Sequence, residues 1–227
     1  MSDRPNVLVT GASRGIGAAV AAALATTHDV LLGGRDADAL ERLAAGLPGA
    51  RPWPVELTDG AALAEACRGI DRLDALVHSA GIVDLGTLAE LTADTWRRTY
   101  EINVVAVAEL TRLLLPALRA TGGHVVLINS GAGLNAHPNW GAYAASKFAL
   151  RAYADVLRSE EQALRVTSIY PGRTDTDMQR GVRSQEGGAY EPEQYLAPAT
   201  VAAAVRTALT TPADGHLTDL TLRPMRR

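Results

Sequence analysis

The sequence predicts a single α/β domain in which a doubly wound parallel β-sheet is flanked by helices. Short runs rich in Val, Ile and Leu recur along the chain, and they are continuously apolar, which is typical of strands buried on both faces. Segments of helical length separate these runs, and that alternation is the signature of βαβ units. The 227 residues contain no internal repeat and no linker-like tract, so residues 1–227 are assigned to a single domain.

The predicted strands follow from the apolar runs. In chain order they lie at 6–10, 29–34, 51–56, 73–80, 124–130 and 165–171, and residues 216–224 hold a candidate closing strand. Pro52 and Pro54 restrict the third strand to a short or edge-like form, because proline cannot donate a ladder hydrogen bond.

The predicted helices follow from the segments rich in Ala and Leu between the strands. They lie at 15–26, 38–46, 59–68, 92–120, 140–162 and 198–209. The region 173–198 is dense in Gly, Pro, Ser and charged residues instead. Such composition is typical of a surface loop, and we expect this region to form a mobile flap over a substrate.

The composition excludes several classes of protein. The chain is 47% hydrophobic and 21% charged with a net charge of −3, which is typical of a globular protein and offers no basic tract for nucleic acid. Cys67 is the only cysteine, so no disulfide forms within the chain. No signal pattern is present, and Glu109 and Arg112 interrupt the most apolar stretch, so we expect a cytoplasmic protein without a membrane span. The five histidines show no metal-ligand spacing, and no metal is predicted.

A glycine-rich turn follows the first predicted strand and opens the first predicted helix. In "VTGASRGIGAAV", Gly11, Gly15 and Gly17 have the spacing G-x-x-x-G-x-G. Glycines at such a junction allow the backbone to approach a pyrophosphate, and the helix N-terminus offers free N–H groups and a positive dipole. A tight turn without a ligand is the alternative. The position of the turn favours a dinucleotide site.

Two arginines bear on which dinucleotide this turn serves. Arg35 follows the second predicted strand, where an acidic residue would accept hydrogen bonds from a ribose 2′-hydroxyl and an arginine would pair with a 2′-phosphate. Arg14 lies within the glycine turn and offers a second cation. The pair favours NADP(H) over NAD(H). If the side chain of Asp36 points inward instead of Arg35, the preference reverses.

Tyr143 and Lys147 lie four residues apart in "GAYAASKFAL", so a helix places them on one face. This pair alone recurs by chance. Taken with "TGASRGIG" at 10–17, Asn103 in "INVVA", Ser130 and "PGRTDTDM" at 171–178, the sequence resembles the classical short-chain dehydrogenase/reductase family over nearly its whole length. The resemblance implies a Rossmann-type fold and an oxidoreductase with a nicotinamide cofactor.

The resemblance, together with the residues above, assigns the site. The catalytic residues are predicted to be Ser130, Tyr143, Lys147 and Asn103. The cofactor-binding residues are predicted to be Gly11, Ser13, Arg14, Gly15, Ile16, Gly17, Arg35, Glu56, Leu57, Ser79, Ala80, Gly81, Tyr143, Lys147, Pro171, Gly172, Thr174 and Thr176. The substrate-binding residues are predicted to be Ser130, Trp140, Tyr143 and Met178.

The sequence departs from the family pattern in four places. His78 and Ser79 stand where the family usually has two asparagines, and we expect His78 to be structural rather than catalytic. Glu56 stands in place of an Asp near the adenine, and Thr174 in place of Val or Ile. The chain also lacks the frequent Asp-Gly-Gly ending, which weakens any inference about a tetramer built through the last strand.

The predicted mechanism places Tyr143 as the general acid/base. A free tyrosine has a pKa near 10, and a neighbouring ammonium favours the phenolate, so Lys147 is expected to lower the pKa of Tyr143. Ser130 would hold the substrate oxygen, and the resemblance implies that Asn103 carries a water chain from Lys147 to solvent. The predicted function is therefore an NADP(H)-dependent carbonyl reductase, or an alcohol dehydrogenase in the reverse direction.

Two other functions are the alternatives to this prediction. An extended-type epimerase or dehydratase shares Tyr-x-x-x-Lys but has a different glycine spacing and a larger substrate domain. A non-catalytic NAD(P)-sensing regulator has no need of the acid/base pair. The physiological substrate, its stereochemistry and the direction of the reaction stay open, although a small or medium carbonyl compound is favoured. The family resemblance implies a homodimer or homotetramer, between which the sequence does not decide.

Overall fold

The computed structural model describes residues 4–225, which form one seven-stranded sheet with strand order β3-β2-β1-β4-β5-β6-β7, all parallel. The strands are β1 (Asn6–Thr10), β2 (Asp29–Gly34), β3 (Ala50–Pro54), β4 (Ala75–His78), β5 (His124–Ile128), β6 (Arg165–Pro171) and β7 (Asp219–Leu222). The predicted fold class and all seven predicted strands are confirmed.

Eight α-helices connect or follow these strands within the described part of the chain. They are α1 (Gly15–Leu24), α2 (Ala37–Ala45), α3 (Gly60–Cys67), α4 (Ala93–Tyr100), α5 (Ala106–Arg119), α6 (Gly141–Glu160), α7 (Asp177–Gln185) and α8 (Pro198–Thr210). In residues 4–225, no helix combines the length and the apolar character that crossing a membrane requires.

The helices cover both faces of the sheet, which explains the continuous apolar runs. Successive residues of a strand point to opposite faces. In β1, Leu8 packs into a core with α3, α5 and α6, whereas Val7 and Val9 pack into a core with α1, α2 and α8. Because both faces are buried, every position of β5 is buried as well. The free energy of burial therefore selects apolar residues at each position.

The third strand lies at the edge of the sheet, as its prolines predict. β3 pairs only with β2, and Pro52 and Pro54 occupy exposed positions of that edge. Trp53 between them is buried, and its ring N–H donates to the carbonyl of Ala66 at 3.0 Å. One strand thus combines an inward anchor with prolines that prevent a further strand from pairing.

The structure differs from the sequence-based prediction in two helical regions. The predicted helix 92–120 is interrupted by a π-helical segment at Glu101–Val105, which contains Asn103. The predicted flap at 173–198 contains helix α7. Thr176 caps the N-terminus of this helix, because its side-chain oxygen accepts a hydrogen bond from the backbone N–H of Gln179. The carboxylate of Glu186 receives two hydrogen bonds from Arg173, at 2.9 and 2.7 Å. This segment is therefore more ordered internally than its composition indicates.

The order of the strands determines where a ligand can bind. The chain moves outward from β1 through β2 to β3, then returns to place β4 on the other side of β1. In such sheets, a crevice forms at the carboxyl ends of the strands where the order reverses. The glycine turn follows β1 directly, so it opens onto this crevice.

Candidate active site

The glycine turn is required by close packing of the backbone. Gly11 and Gly15 have φ values of +65° and +56°, a conformation that favours glycine. A Cβ on Gly11 would lie 2.9 Å from the backbone of Ala80, and a Cβ on Gly17 would lie 2.2 Å from the carbonyl oxygen of Gly11. The three glycines thus bring β1, α1 and the segment after β4 together at one point.

The N-terminus of α1 lacks the capping that most of the other helices have. No side chain caps it at Arg14, and no acidic residue lies in its first turn. In contrast, Asp36, Asp59 and Thr176 cap α2, α3 and α7 through side-chain oxygens. The first N–H groups of α1 are therefore available to an anion, and the positive end of the helix dipole favours one. This feature fits the pyrophosphate of a dinucleotide.

A cleft surrounds this turn and contains most of the predicted cofactor residues. The predicted residues that line it are Gly11, Ser13, Arg14, Gly15, Ile16, Gly17, Arg35, Glu56, Leu57, Ser79, Ala80, Gly81 and Thr176. The sequence analysis missed five further lining residues, which are Gly34, Val55, Ile82, Ile102 and Asp177. Each of these five residues is a sequence neighbour of a predicted site residue, and that proximity is the signal that could have found them.

The structure decides between Arg35 and Asp36. Arg35 lines the cleft, whereas the carboxylate of Asp36 accepts a hydrogen bond from the backbone N–H of Ala39 at 3.0 Å and caps α2. Arg35 pairs with Glu56 across 3.3 Å. Burial alone would raise the pKa of Glu56, but hydrogen bonds from Thr58 and Arg35 together hold that pKa below its ordinary value. The cation at this end of the cleft is therefore Arg35.

A second cavity adjoins the cleft, and Ile16, Thr176 and Met178 line both. All four predicted substrate residues line the second cavity, and these are Ser130, Trp140, Tyr143 and Met178. The predicted cofactor residues Pro171, Gly172 and Thr174 line this cavity and not the first cleft. The sequence analysis did not single out Gln179 or Arg223, which also line it.

Pro171 and Gly172 were placed in the cofactor cleft because the Pro-Gly segment resembles a cofactor motif. In the structure, β6 carries this segment to the junction between the two cavities, with Thr176 reaching the cleft itself. The side-chain hydroxyl of Thr174 donates to the carbonyl of Gly172 at 3.0 Å, so it stabilises its own loop. Nothing in the protein's own contacts directs Thr174 to the first cleft.

Helix α6 places Tyr143 and Lys147 on one buried face. Tyr143 is 8% exposed and Lys147 is 5% exposed, and the ammonium lies 5.7 Å from the centre of the tyrosine ring. The ammonium donates to the carbonyl of Ile128 at 3.0 Å. Lys147 lines neither cavity, but a Cβ on Gly81 would lie 3.8 Å from its nitrogen. Lys147 is thus a neighbour of Gly81, which lines the first cleft.

The expected net lowering of the Tyr143 pKa is not found in the protein alone. Burial raises the pKa of the Tyr143 phenol, and the side chain of Ser130 partly opposes that rise. Burial also lowers the pKa of Lys147 to about 8. The physical reason is that burial removes water from both groups and disfavours the charged form of each. The pKa of the phenol therefore rises, and the pKa of the ammonium falls. Lys147 is, in addition, the only lysine among the 22 Lys and Arg residues of the chain.

Asn103 lies behind the site and organises it. Its amide accepts from the backbone N–H of Ile82 at 2.9 Å and donates to the carbonyl of Ile82 at 3.0 Å. It also donates to the hydroxyl of Ser146 at 3.0 Å, and that hydroxyl donates to the carbonyl of Tyr143 at 2.7 Å. The π-helical segment presents Asn103 inward. Asn103 thus links the segment after β4 to α6.

His78 and Ser79 take different positions after β4. His78 is buried, its ring nitrogen lies 2.9 Å from the hydroxyl of Thr111, and burial lowers the pKa of His78 to about 3. Ser79 lines the first cleft, and its backbone N–H donates to the hydroxyl of Thr10 at 3.1 Å. His78 is therefore a neutral core residue, in agreement with its predicted structural role.

The sequence matches the short chain dehydrogenase family over residues 5–187. The chain belongs to the short chain dehydrogenase family. It is therefore an oxidoreductase of the short-chain dehydrogenase/reductase type. No group of three or more metal-ligating side chains lies together in the described residues of this short chain dehydrogenase.

Relatives and solved structures agree with this family. The chain is 34% identical to a short-chain type dehydrogenase/reductase of Sinorhizobium fredii, with 96% of this chain and 90% of the relative covered. It is 36% identical to the glycine betaine reductase ATRR of Emericella nidulans, where 96% of this chain covers only 18% of that longer protein.

Two solved structures carry bound dinucleotides. An alcohol dehydrogenase of Thermococcus sibiricus, complexed with 5-hydroxy-NADP, is 28% identical, with a TM-score of 0.89 and 99% of each chain covered. A short chain dehydrogenase of Escherichia coli CFT073, complexed with NADPH, is 30% identical, with a TM-score of 0.87 and 97% of each chain covered. These similarities support a nicotinamide cofactor for this family member.

Proposed function

We propose that this short chain dehydrogenase transfers hydride between NADP(H) and a carbonyl or secondary alcohol substrate. The observation that carries the proposal is the continuity of two cavities. One contains the uncapped N-terminus of α1 and the glycine turn, and the other contains Ser130 and Tyr143. The shared wall at Ile16, Thr176 and Met178 supports binding of a cofactor in the cleft beside a substrate in the second cavity.

The preference for NADP(H) rests on Arg35 and Arg14. Both line the cleft, and Arg14 makes no ion pair with any residue in 4–225. A 2′-phosphate at Arg35 competes with Glu56, but the Arg35 and Glu56 side chains are 69% and 40% exposed. Exposed pairs of this kind contribute about 0–1 kcal/mol. Breaking the exposed Arg35–Glu56 pair therefore costs little, and a 2′-phosphate offers Arg35 charge-assisted hydrogen bonds of the same kind.

In the reductive direction, Tyr143 donates a proton to the substrate oxygen. The reduced nicotinamide, when bound, supplies the hydride to the carbonyl carbon. The raised pKa of Tyr143 keeps its phenol protonated at neutral pH, which is the form that a general acid requires. Ser130 donates a hydrogen bond to the same oxygen, and the product is an alcohol.

Lys147 assists after the proton has left the phenol. Because the pKa of Lys147 is about 8, most molecules carry this side chain as an ammonium at pH 7. Its charge, close to the ring of Tyr143, stabilises the phenolate that forms. Asn103 positions α6 and the segment after β4 through the hydrogen bonds described above. Its predicted part in a water chain stays a prediction.

The test begins with titration of the purified protein with NADPH and NADH, followed by a panel of ketones and aldehydes. Tyr143→Phe is compared with Tyr153→Phe, a partly buried tyrosine ten residues along the same helix that packs against the core. We expect tighter binding of NADPH. Tyr143→Phe should lower kcat by about 10²–10⁴-fold with unchanged NADPH binding, whereas Tyr153→Phe should leave kcat unchanged.

Two outcomes would contradict the proposal. Equal kcat for wild type and Tyr143→Phe would remove Tyr143 from acid catalysis. Tight cofactor binding without turnover of any carbonyl would favour the non-catalytic sensor, which no feature of residues 4–225 supports.

The proposed assembly is a homodimer or homotetramer. Val105, Phe148 and Val156 are exposed apolar residues on the π-helical segment and α6, with 48%, 40% and 53% exposure. Burial of such residues against a second copy is favourable. Sedimentation velocity would measure the assembly. The cytoplasmic location also stays a prediction.

A further inference from the structure

Arg223 lies at the wall of the second cavity, at a place set by the last strand. β7 pairs with β6, and the backbone N–H of Gly172 donates to the carbonyl of Leu222 at 2.8 Å. A Cβ on Gly172 would lie 2.8 Å from the ring of Pro224, so the absent side chain makes room for the chain after β7. Arg223 is thereby held between two fixed neighbours.

The guanidinium of Arg223 lies close to the catalytic serine. A Cβ on Gly131 would lie 3.1 Å from its Nη1 atom, and Gly131 follows Ser130 directly. Consecutive Cα atoms are about 3.8 Å apart, so the guanidinium lies no more than about 11 Å from the Ser130 hydroxyl. A ligand that touches both groups is therefore short.

The charge in this cavity is positive. Among residues 4–225, no acidic side chain lines it, and the arginines that do are Arg173 and Arg223. Glu186 neutralises Arg173 through two hydrogen bonds. Arg223 forms no ion pair within residues 4–225, and both of its hydrogen bonds, to the carbonyls of Tyr170 and Leu222 at 3.3 Å, use Nη1 alone. Its other N–H groups are available to a ligand.

Gln179 is a second, independent indication of a polar ligand. It is 7% exposed and lines the same cavity from the first turn of α7. Its amide nitrogen is buried without a hydrogen-bond partner in the described structure. An unpaired buried amide is unfavourable, and such groups generally have a partner. A bound ligand with hydrogen-bonding oxygens would supply it.

We propose that the substrate is an oxo acid, in which a carboxylate lies a few bonds from the carbonyl group. The inference rests on the proposed carbonyl reduction. Arg223 binds the carboxylate, whose planar shape matches the fork of the guanidinium. Gln179 donates to an oxygen of the same ligand, while Ser130 and Tyr143 hold the carbonyl oxygen at the other end.

The experiment compares short oxo acids with their methyl esters, which have the same carbonyl without the charge. For the wild type, we expect kcat/KM to be at least about tenfold higher for the acid, since hydrogen bonds between charged partners contribute a factor of about 10–100. Arg223→Gln should remove this preference mainly through a higher KM, and Arg223→Lys should retain part of it. Gln179→Met should lower kcat/KM for the acid more than for the methyl ester. Arg206→Gln, at an exposed position of α8, is the matched control and should change nothing.

A binding measurement separates this inference from the proposed function. Trp140 lines the cavity, so its fluorescence should report binding of the corresponding hydroxy acid without turnover. Saturable binding in the wild type that Arg223→Gln weakens tenfold supports the acid site, even if no carbonyl is reduced. Equal kcat/KM for acids and esters, together with binding unaffected by Arg223→Gln, overturns it while carbonyl reduction stands. Preference for a phosphorylated ketone over the oxo acid would also overturn the carboxylate assignment.

Discussion

Lys147→Met tests whether burial determines the protonation of this lysine. The side chain is 5% exposed, and burial lowers its pKa from the ordinary lysine value of 10.5 to about 8. Because each pKa unit corresponds to about 1.4 kcal/mol, the buried charge destabilises the fold by about 3 kcal/mol at neutral pH. Methionine removes the charge, but it also leaves the carbonyl of Ile128 without its donor, which costs about 1 kcal/mol.

The variant should therefore be more stable than the wild type at pH 7, by about 2 kcal/mol. That difference raises Tm by about 4–8 °C in a chain of this size. The dependence on pH has a definite sign. Between pH 8 and 10.5 the unfolded wild type binds more protons than the folded protein, so wild-type stability rises with pH across this window. The advantage of Lys147→Met should shrink there and reverse by about 1 kcal/mol at the top.

Two measurements check this reasoning. Urea unfolding of both proteins at several pH values from 6.5 to 10 gives the free energies of unfolding. Because Lys147 is the only lysine, incorporation of ¹³C-labelled lysine gives one side-chain signal, whose titration midpoint should lie near 8. Arg151→Met, an exposed cation one turn along α6, is the matched control and should change stability by less than about 0.5 kcal/mol at every pH.

A lysine signal that titrates near 10.5 would refute the reasoning. Stability curves for wild type and Lys147→Met that stay parallel from pH 8 to 10 would refute it as well. In either case, the ammonium would be solvated or paired in a way that its burial does not indicate.

Two further predictions concern the cofactor cleft. Arg35→Asp should weaken NADPH binding about 10- to 100-fold and leave NADH binding within a few-fold, measured by fluorescence titration. Asp36→Ala, its control, should destabilise the fold by about 1 kcal/mol through the lost cap and leave the NADPH/NADH ratio unchanged. Gly11→Ala should abolish cofactor binding, because its Cβ would lie 2.9 Å from the backbone of Ala80. Gly69→Ala has a similarly positive φ of +81° but open space around it, so calorimetry should show a loss of only about 1–2 kcal/mol and titration unchanged binding.

Much of the fold could be predicted from local patterns. Strands buried on both faces need apolar residues at every position, so continuous runs marked them, and Pro52 and Pro54 marked an edge. Helix α7 was missed because part of what holds it is distant in sequence. Its cap at Thr176 is local, but Arg173 and Glu186 are thirteen residues apart and pair only after the segment folds back.

The candidate site divides in the same way. The spacing of Tyr143 and Lys147 along one helix predicted that they share a face. The position of the glycine turn directly after a strand predicted a phosphate site. The sequence did not determine which of Arg35 and Asp36 faces the cleft, because neighbouring side chains point in different directions at the start of a helix. In the structure, the carboxylate of Asp36 caps α2. The shift in the Tyr143 pKa depends on how completely water is excluded, and no spacing reports that quantity.

The sequence by itself determined the alternation of strands and helices, the phosphate turn and the tyrosine–lysine pair, since each depends on interactions within a few residues. Only the tertiary structure decided that Arg35 lines the cleft, that burial governs the pKa values of Tyr143 and Lys147, and that Arg223 lies next to Gly131, which follows Ser130. Ninety-three residues separate Arg223 from Ser130 along the chain. The pairing of β7 with β6 removes that distance, and such pairing depends on the free energy of the whole sheet rather than on any local pattern.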